Sequence, residues 1–367
     1  MHNKICQALS NEAQSNQNIQ KVLIIDGIGG VPLGRELGEA LRANNVSVAY
    51  IDALSEQPRT FYRTFSIILK TRNKAREKDG FTHLARLPLE SLMRWIDHEQ
   101  PSHILVIGFL YKHWPLEALD LIKARGIKCF LYDTDSCNLY SKRREFVYFI
   151  QEELPRYTAI LSFSQVTTRF FSDTCGLDSR YVPFGATTPL QRSSMKDKEA
   201  VFVGSADLRR VFLLERIREH VVVRGNRWRR NLPLMSPMLQ QKVTDIPLWG
   251  EELQSFLQSA KIVINITRSD FYGAETGVNL RIFEALASGC FLLTDYCEEV
   301  AELFIPGVEI ETFRSAEELR QKVAYYLAHE VEREAIARQG HERFLKEYTW
   351  QARAQQIVGE MNACVEI

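Results

Sequence analysis

The 367-residue sequence predicts an α/β protein built of two Rossmann-like domains that face each other across a cleft. Three observations support this. Short apolar runs alternate with amphipathic stretches along most of the chain, the β-α-β rhythm of a parallel sheet. The rhythm lapses over residues 187–199, "TTPLQRSSMKDKE", and then restarts. The length suits two domains of roughly 100–200 residues each.

In chain order, residues 1–19 are polar and lack the apolar core of a signal peptide, which predicts a flexible tail and a cytoplasmic protein. The first domain, 20–186, opens with the strand "KVLIID" (21–26) and the turn "GIGG". A helix is predicted from about Pro32 to Asn44, because Leu33, Leu37, Ala40 and Leu41 recur at helical spacing. Strands follow at 46–52, 103–109, 127–133, 158–164 and 180–184, with a helix near 115–125. Residues 187–199 read as an interdomain linker. In the second domain, 200–345, "AVFVGS", "HVVVRGN", "KIVINIT", "CFLLTDY" and "VEIETF" are predicted strands. Ser315 and Glu318 form the capping-box signature of a helix start. Residues 346–367 close the chain as a last helix.

Composition excludes several classes. With 45% hydrophobic and 25% charged residues the chain is of ordinary globular make-up, and no run reaches the ~18 apolar residues of a spanning helix. Its formal net charge of zero gives no general attraction to nucleic acid, and no nucleic-acid partner is expected. The seven cysteines form no C-x-x-C pair, which predicts reduced thiols and no zinc site. One local bias stands out: residues 59–78 hold Arg59, Arg63, Lys70, Arg72, Lys74, Arg76 and Lys78 against the single acid Glu77. Two readings of this segment stand, a peripheral contact with the inner membrane face or an anionic acceptor, and a solvated helix face.

Ligands of such sheets bind beyond the carboxyl ends of the strands, so the strand-to-helix loops are the places to search. "DGIGGVPLG" suggests a dinucleotide site, but G-x-G-x-x-G counted from Gly27 and Gly29 puts Pro32 where the third glycine belongs. Gly29 and Gly30 are read as an acceptor loop lining the cleft, or as a tight turn. In the second domain, Gly204 and Ser205 follow a strand, and Arg209 and Arg210 come soon after with the forked guanidinium suited to phosphate. Gly225 and Asn226 end the next strand, and Leu248 and Trp249 are placed at a strand end where a base could stack.

The most informative stretch is "ETGVNLRIFEALASGCFLLTDY", Glu275 to Tyr296. Gly277, Val278 and Asn279 lead into a helix whose first free N–H groups suit an anion. Arg281, Glu284 and Ser288 share one face of that helix by spacing. A carboxylate there can accept hydrogen bonds from the vicinal hydroxyls of a ribose, since it offers only lone pairs. The plainer reading is an i, i+3 ion pair between Arg281 and Glu284. Gly289 is expected to end the helix.

"GVNLRIFEALASGCFLLTDYCEEVAELF", with "VEIETFRSAEELRQKVAYYL" and "RFLKEYTWQARAQQIV", resembles the C-terminal domain of GT-B glycosyltransferases, nearest the CgeB-like subgroup related to spore maturation proteins. The resemblance covers roughly residues 200–360. It implies a GT-B fold whose last helix, containing Trp350, crosses back to the first domain. It also implies a nucleotide-sugar donor, with Glu284 on the ribose, the Gly277–Asn279 turn facing the diphosphate and Arg210 neutralising it. The donor is a co-substrate, and no other cofactor and no metal are expected. Many retaining members carry E-x7-E, and here the first of those positions is Thr276, with Glu275 displaced by one. A general base on the acceptor side is sought among Asp135, His113 and Asp133, in that order, with Asp26 as a further candidate. The two aspartates of "DTD" alone make no metal site. The function this implies is sugar transfer to a hydroxyl of a glycan, lipid-linked or protein acceptor. An epimerase or hydrolase on the same fold, and a non-catalytic sugar-nucleotide-binding assembly protein, are the alternatives.

Overall fold

The computed structural model describes residues 19–28, 30–75, 81–135, 144–190 and 195–364. Two six-stranded parallel sheets organise them. The first contains β1 (Lys21–Asp26), β2 (Ser47–Asp52), β3 (His103–Ile107), β4 (Lys128–Asp133), β5 (Ala159–Ser162) and β6 (Ser179–Tyr181). Its strand order is β2-β1-β3-β4-β5-β6. The second contains β7 (Lys198–Val203), β8 (Val221–Arg224), β9 (Val243–Thr244), β10 (Ala260–Asn265), β11 (Leu292–Asp295) and β12 (Glu311–Phe313), in the order β12-β11-β10-β7-β8-β9. Helices cover both faces, so central strands are buried on both sides and read as continuous apolar runs. Val22, Leu23, Ile24 and Ile25 of β1 are fully enclosed, as are Val201 and Phe202 of β7.

Each sheet has a switch point, where connections leave on opposite sides and open a crevice at the strand ends. In the first sheet it lies between β1 and β3, and in the second between β7 and β10. The chain therefore presents two crevices, one per domain. β7 starts at Lys198, inside the interval read as linker.

The domains share a core. One apolar cluster contains Leu105 and Phe184 from the first domain together with Val203 and Phe283 from the second. Phe184 packs edge-on to Phe283 at 6.3 Å and stacks on Phe163 at 4.6 Å. The last helix, Trp350–Ala363, crosses back onto the helix Leu33–Ala43. Thr349 caps it by accepting from Ala352 N–H, and Trp350 is buried. Gly185 lets this happen: a Cβ there would lie 2.9 Å from the Trp350 ring.

Between β2 and β3 the periodicity predicts only the basic segment, and the structure adds the helix Leu89–Glu99, which buries Leu92 and Ile96. The basic segment forms the helix Tyr62–Ala75; Arg76, Glu77 and Lys78 lie outside the described residues, as does most of the predicted tail. Among the described residues no helix is long and apolar enough to cross a membrane. The described cysteines, Cys129, Cys175, Cys290, Cys297 and Cys364, are free.

Candidate active site

At the switch point of the second sheet, the loops after β7 and β10 are tied together. Asp207 caps its helix by accepting from Arg210 N–H at 2.9 Å and also accepts from Ser269 N–H at 3.1 Å. Arg210 runs beneath, its Nε donating to the Ile266 carbonyl at 2.8 Å and its Nη1 to the Ser205 carbonyl at 2.7 Å. Burial lowers its pKa to about 10, so it stays charged at neutral pH. A cavity of about 420 Å³ opens above these loops and lies between the domains.

The cavity gathers much of what the sequence singles out. Gly204, Ser205, Arg210, Trp249, Val278, Asn279, Arg281 and Glu284 line it, and Asp135 faces them from the first domain. The helix Leu280–Ala287 begins here, with Asn279 as N-cap accepting from Arg281 N–H at 3.1 Å. This cap takes one of the four unpaired N–H groups of the first turn, and the helix dipole adds partial positive charge. Glu284 lies 2.6 Å from Arg281, the plainer of the two readings of this pair, yet both side chains stand in the cavity wall. Burial pushes the Glu284 carboxyl up to about 7 and Arg281 down. Ser288 is buried at the helix end, outside the cavity lining, and Gly289 ends the helix with φ +67°.

Other expected residues stand elsewhere. His113 is buried, with Nε2 2.9 Å from the Gly27 carbonyl and its pKa lowered by burial; it braces the β1 loop and does not line the cleft cavity. Asp133 is also buried, accepting from Ser162 Oγ at 3.2 Å and from Asp135 N–H at 3.4 Å, so it shapes the turn that presents Asp135. A strand-end position says nothing about which way a side chain points, and both of these point inward. Gly225 backs the Gly204 carbonyl so closely that a Cβ would sit 1.8 Å from it, and the Asn226 carbonyl accepts from Ala206 N–H. These two buttress the 204–206 loop and do not touch the cavity.

Leu248 and Trp249 do not end a strand, since β9 stops at Thr244. Leu248 packs into the apolar core, while Trp249 keeps 39% of its surface exposed at the cavity mouth. Gly277 turns to a neighbouring pocket, where a Cβ would lie 2.6 Å from Cys297 Sγ. Gly29 lies outside the described residues, and Gly30 lines a separate hollow of about 300 Å³ with Asp26, Asp52 and the far side of Trp249. Arg209 pairs with Asp295 at 2.5 Å. Thr276 Oγ1 donates to Glu299 at 2.6 Å.

The structure also adds residues without a local signal. Arg268 reaches from the loop after β10 to Asp135 at 2.5 Å, closing one end of the cavity. Phe163, Phe184, Ile28 and Leu33 supply apolar wall from the first domain. Among the described residues no three His, Cys, Asp or Glu side chains converge as a metal-ligand group.

Residues 209–359 match the family model described as glycosyl transferase-like. A search of curated protein sequences gave no significant match. Among solved structures, sucrose-phosphate synthase from Thermosynechococcus elongatus is similar at a TM-score of 0.65 and 14% identity, over 93% of this chain and 98% of that one. HepE of Anabaena, solved with UDP and glucose, gives 0.63 and 14% over 94% and 100%. A glycosyltransferase from Rickettsia africae gives 0.59 and 10% over 95% and 99%. The fold is GT-B, the architecture of glycosyltransferases.

Proposed function

We propose that the protein is a nucleotide-sugar-dependent glycosyltransferase of the CgeB-like subgroup, which passes a sugar to a hydroxyl of a surface polysaccharide, lipopolysaccharide or protein glycan. The observation that supports this most is the convergence in one interdomain cavity of Glu284, Arg210, the start of the helix Leu280–Ala287 and Asp135. Glu284 accepts from the ribose hydroxyls, and Trp249 offers a face to the base. The diphosphate lies over the helix start and Arg210, whose positive charge takes up the charge that develops on the leaving group. These groups do the neutralising without a metal.

In the transfer step the acceptor oxygen bonds to the anomeric carbon while the bond from that carbon to the phosphate oxygen breaks. The electron pair leaves with the nucleoside diphosphate, and the acceptor proton passes to Asp135. The test is a thermal-shift panel of UDP, GDP, CMP and dTDP sugars with NAD as comparison. A ligand at 100 times its dissociation constant adds about 2.7 kcal/mol of stability. A shift with NAD alone would overturn the reading.

The helix Tyr62–Ala75 supports a peripheral contact on the cytoplasmic membrane face. Phe61, Phe65 and Ile68 stand at i, i+4 and i+7 and are 72%, 54% and 55% exposed, with Arg63 and Arg72 beside them. Sedimentation with phosphatidylglycerol vesicles, but not with phosphatidylcholine vesicles, is the expected result.

A further inference from the structure

The donor cavity adjoins a second hollow of about 150 Å³, and Asp135, Arg268 and Phe271 line both. Apart from Asp270, the remaining wall belongs to the first domain and is mainly aromatic. Phe109 meets Phe149 edge-on at 4.8 Å and Tyr111 at 6.0 Å, and Phe146 adjoins Phe149 at 6.5 Å. Tyr111 and Phe149 are buried, whereas Phe109 and Phe146 keep exposed surface toward the hollow. Polar groups stand at the rim: Lys112 Nζ lies 3.6 Å from Glu145, which accepts from Tyr111 Oη at 2.7 Å.

This wall is held rigidly. Phe149–Glu153 forms a π-helical turn, a rare local geometry that is frequent at functional sites. Its last residue, Glu153, is fully buried and accepts from the N–H groups of Leu110 (2.9 Å) and Tyr111 (2.8 Å) and from Tyr157 Oη (2.7 Å). A connecting loop does not need a buried carboxylate to set its backbone, but a binding surface gains from one.

The chemistry of the lining narrows the ligand. Among the described residues, Asp135, Glu145 and Asp270 face Lys112 and Arg268, one more carboxylate than cation, a balance that disfavours a phosphate group. Aromatic faces combined with a few charged hydrogen-bonding groups suit a molecule with an apolar C–H face and a rim of hydroxyls. That is a description of a pyranose ring. We propose that the hollow is the acceptor site and that the acceptor is a neutral sugar residue, the end of a glycan, laid on Phe146, with its hydroxyls on Glu145 and on Lys112, whose ammonium lies 3.7 Å over the Phe109 ring, and one hydroxyl turned to Asp135. This rests on the donor reading given above.

Saturation-transfer difference NMR of the nucleotide-free full chain tests it, with methyl glucoside, methyl galactoside and methyl N-acetylglucosaminide as probes and N-acetylserine amide and decyl phosphate as comparisons. At least one glycoside is expected to bind, with the strongest transfer to its ring C–H protons. Phe146→Ala and Lys112→Met should each weaken that binding tenfold or more. Lys112 lies half-exposed on a loop, so its variant keeps the fold if Phe146→Ala does not. Equal glycoside binding by wild type and both variants, no binding of any glycoside, or binding of the serine amide or alkyl phosphate alone would overturn the proposal. Nucleotide-induced thermal shifts, read separately on the same protein, report on the donor reading and should be unchanged in both variants.

Discussion

Glu284 and Arg281 lie one turn apart on the helix Leu280–Ala287, 2.6 Å from each other and buried in the wall of the interdomain cavity. Burial raises the Glu284 carboxyl from its ordinary 4.5 to about 7. Across that window the folded chain holds a proton that the unfolded chain has released, so this group's contribution to stability falls as pH rises and is level above about 7. With Glu284 on the ribose as proposed, nucleotide binding would have the opposite dependence, because the ribose hydroxyls need the ionised acceptor. Titration calorimetry at pH 6 and pH 8 is expected to show tighter binding at pH 8. Glu284→Gln should flatten that dependence and weaken binding by about 10- to 100-fold, given roughly 1.5–3 kcal/mol for hydrogen bonds to a charged group. A 2′-deoxynucleotide should respond less.

Arg210 spends two of its nitrogens on the Ile266 and Ser205 carbonyls and still borders the cavity. Arg210→Lys cannot reproduce that fork. The variant should lose affinity for a nucleoside diphosphate tenfold or more while binding the free nucleoside as before. Parallel titrations with diphosphate and nucleoside check this, and an equal loss for both would remove the phosphate role.

Asp135 and Arg268 meet at 2.5 Å from opposite domains, with half of the Asp135 side chain exposed. An exposed ion pair contributes little to stability, so Asp135→Asn should leave the melting point nearly unchanged. Loss of a general base typically costs about 10²–10⁴-fold in rate. Steady-state kinetics should therefore show a fall in kcat of that order with the donor KM kept. A kcat within a few-fold of wild type would move the base elsewhere.

Trp350 donates its indole N–H to the Glu36 carboxylate at 2.6 Å, pinning the last helix to the first domain. Burial raises the Glu36 pKa, and the indole bond opposes that shift. Trp350→Phe keeps most of the packing but takes this bond from the carboxylate, which keeps one from Thr187, at about 1–3 kcal/mol. Trp350→Ala also opens a cavity and should cost about 3–5 kcal/mol. Urea denaturation of both variants separates the two contributions.

Much of the fold was legible because buried parallel strands are unbroken apolar runs. "KVLIID", "IKCFLYD" and "CFLLTDY" announce themselves, whereas β9, at two residues, leaves no pattern. The capping box was equally legible: Ser315 Oγ accepts from Glu318 N–H at 3.1 Å. The carboxylate of Glu318 departs from that pattern, turning to Arg314 N–H at 2.7 Å. In the site, Ser205, Arg210, Asn279 and Glu284 could be found from their places after strands and at a helix start. Arg268 could not, because its partner Asp135 is 133 residues away in sequence.

The sequence by itself determined two parallel-sheet domains, the helix that presents Glu284 and the loop that presents Arg210, because these follow from local periodicity, capping and glycine placement. Only the tertiary structure decided which strand-end residues face the cleft. His113 and Asp133 turn inward to satisfy buried polar groups, Gly277 packs on Cys297, and of the four candidate bases Asp135 alone lines the interdomain cavity. The reason is physical: strand register and domain packing set side-chain direction, and both depend on contacts between segments far apart in the chain.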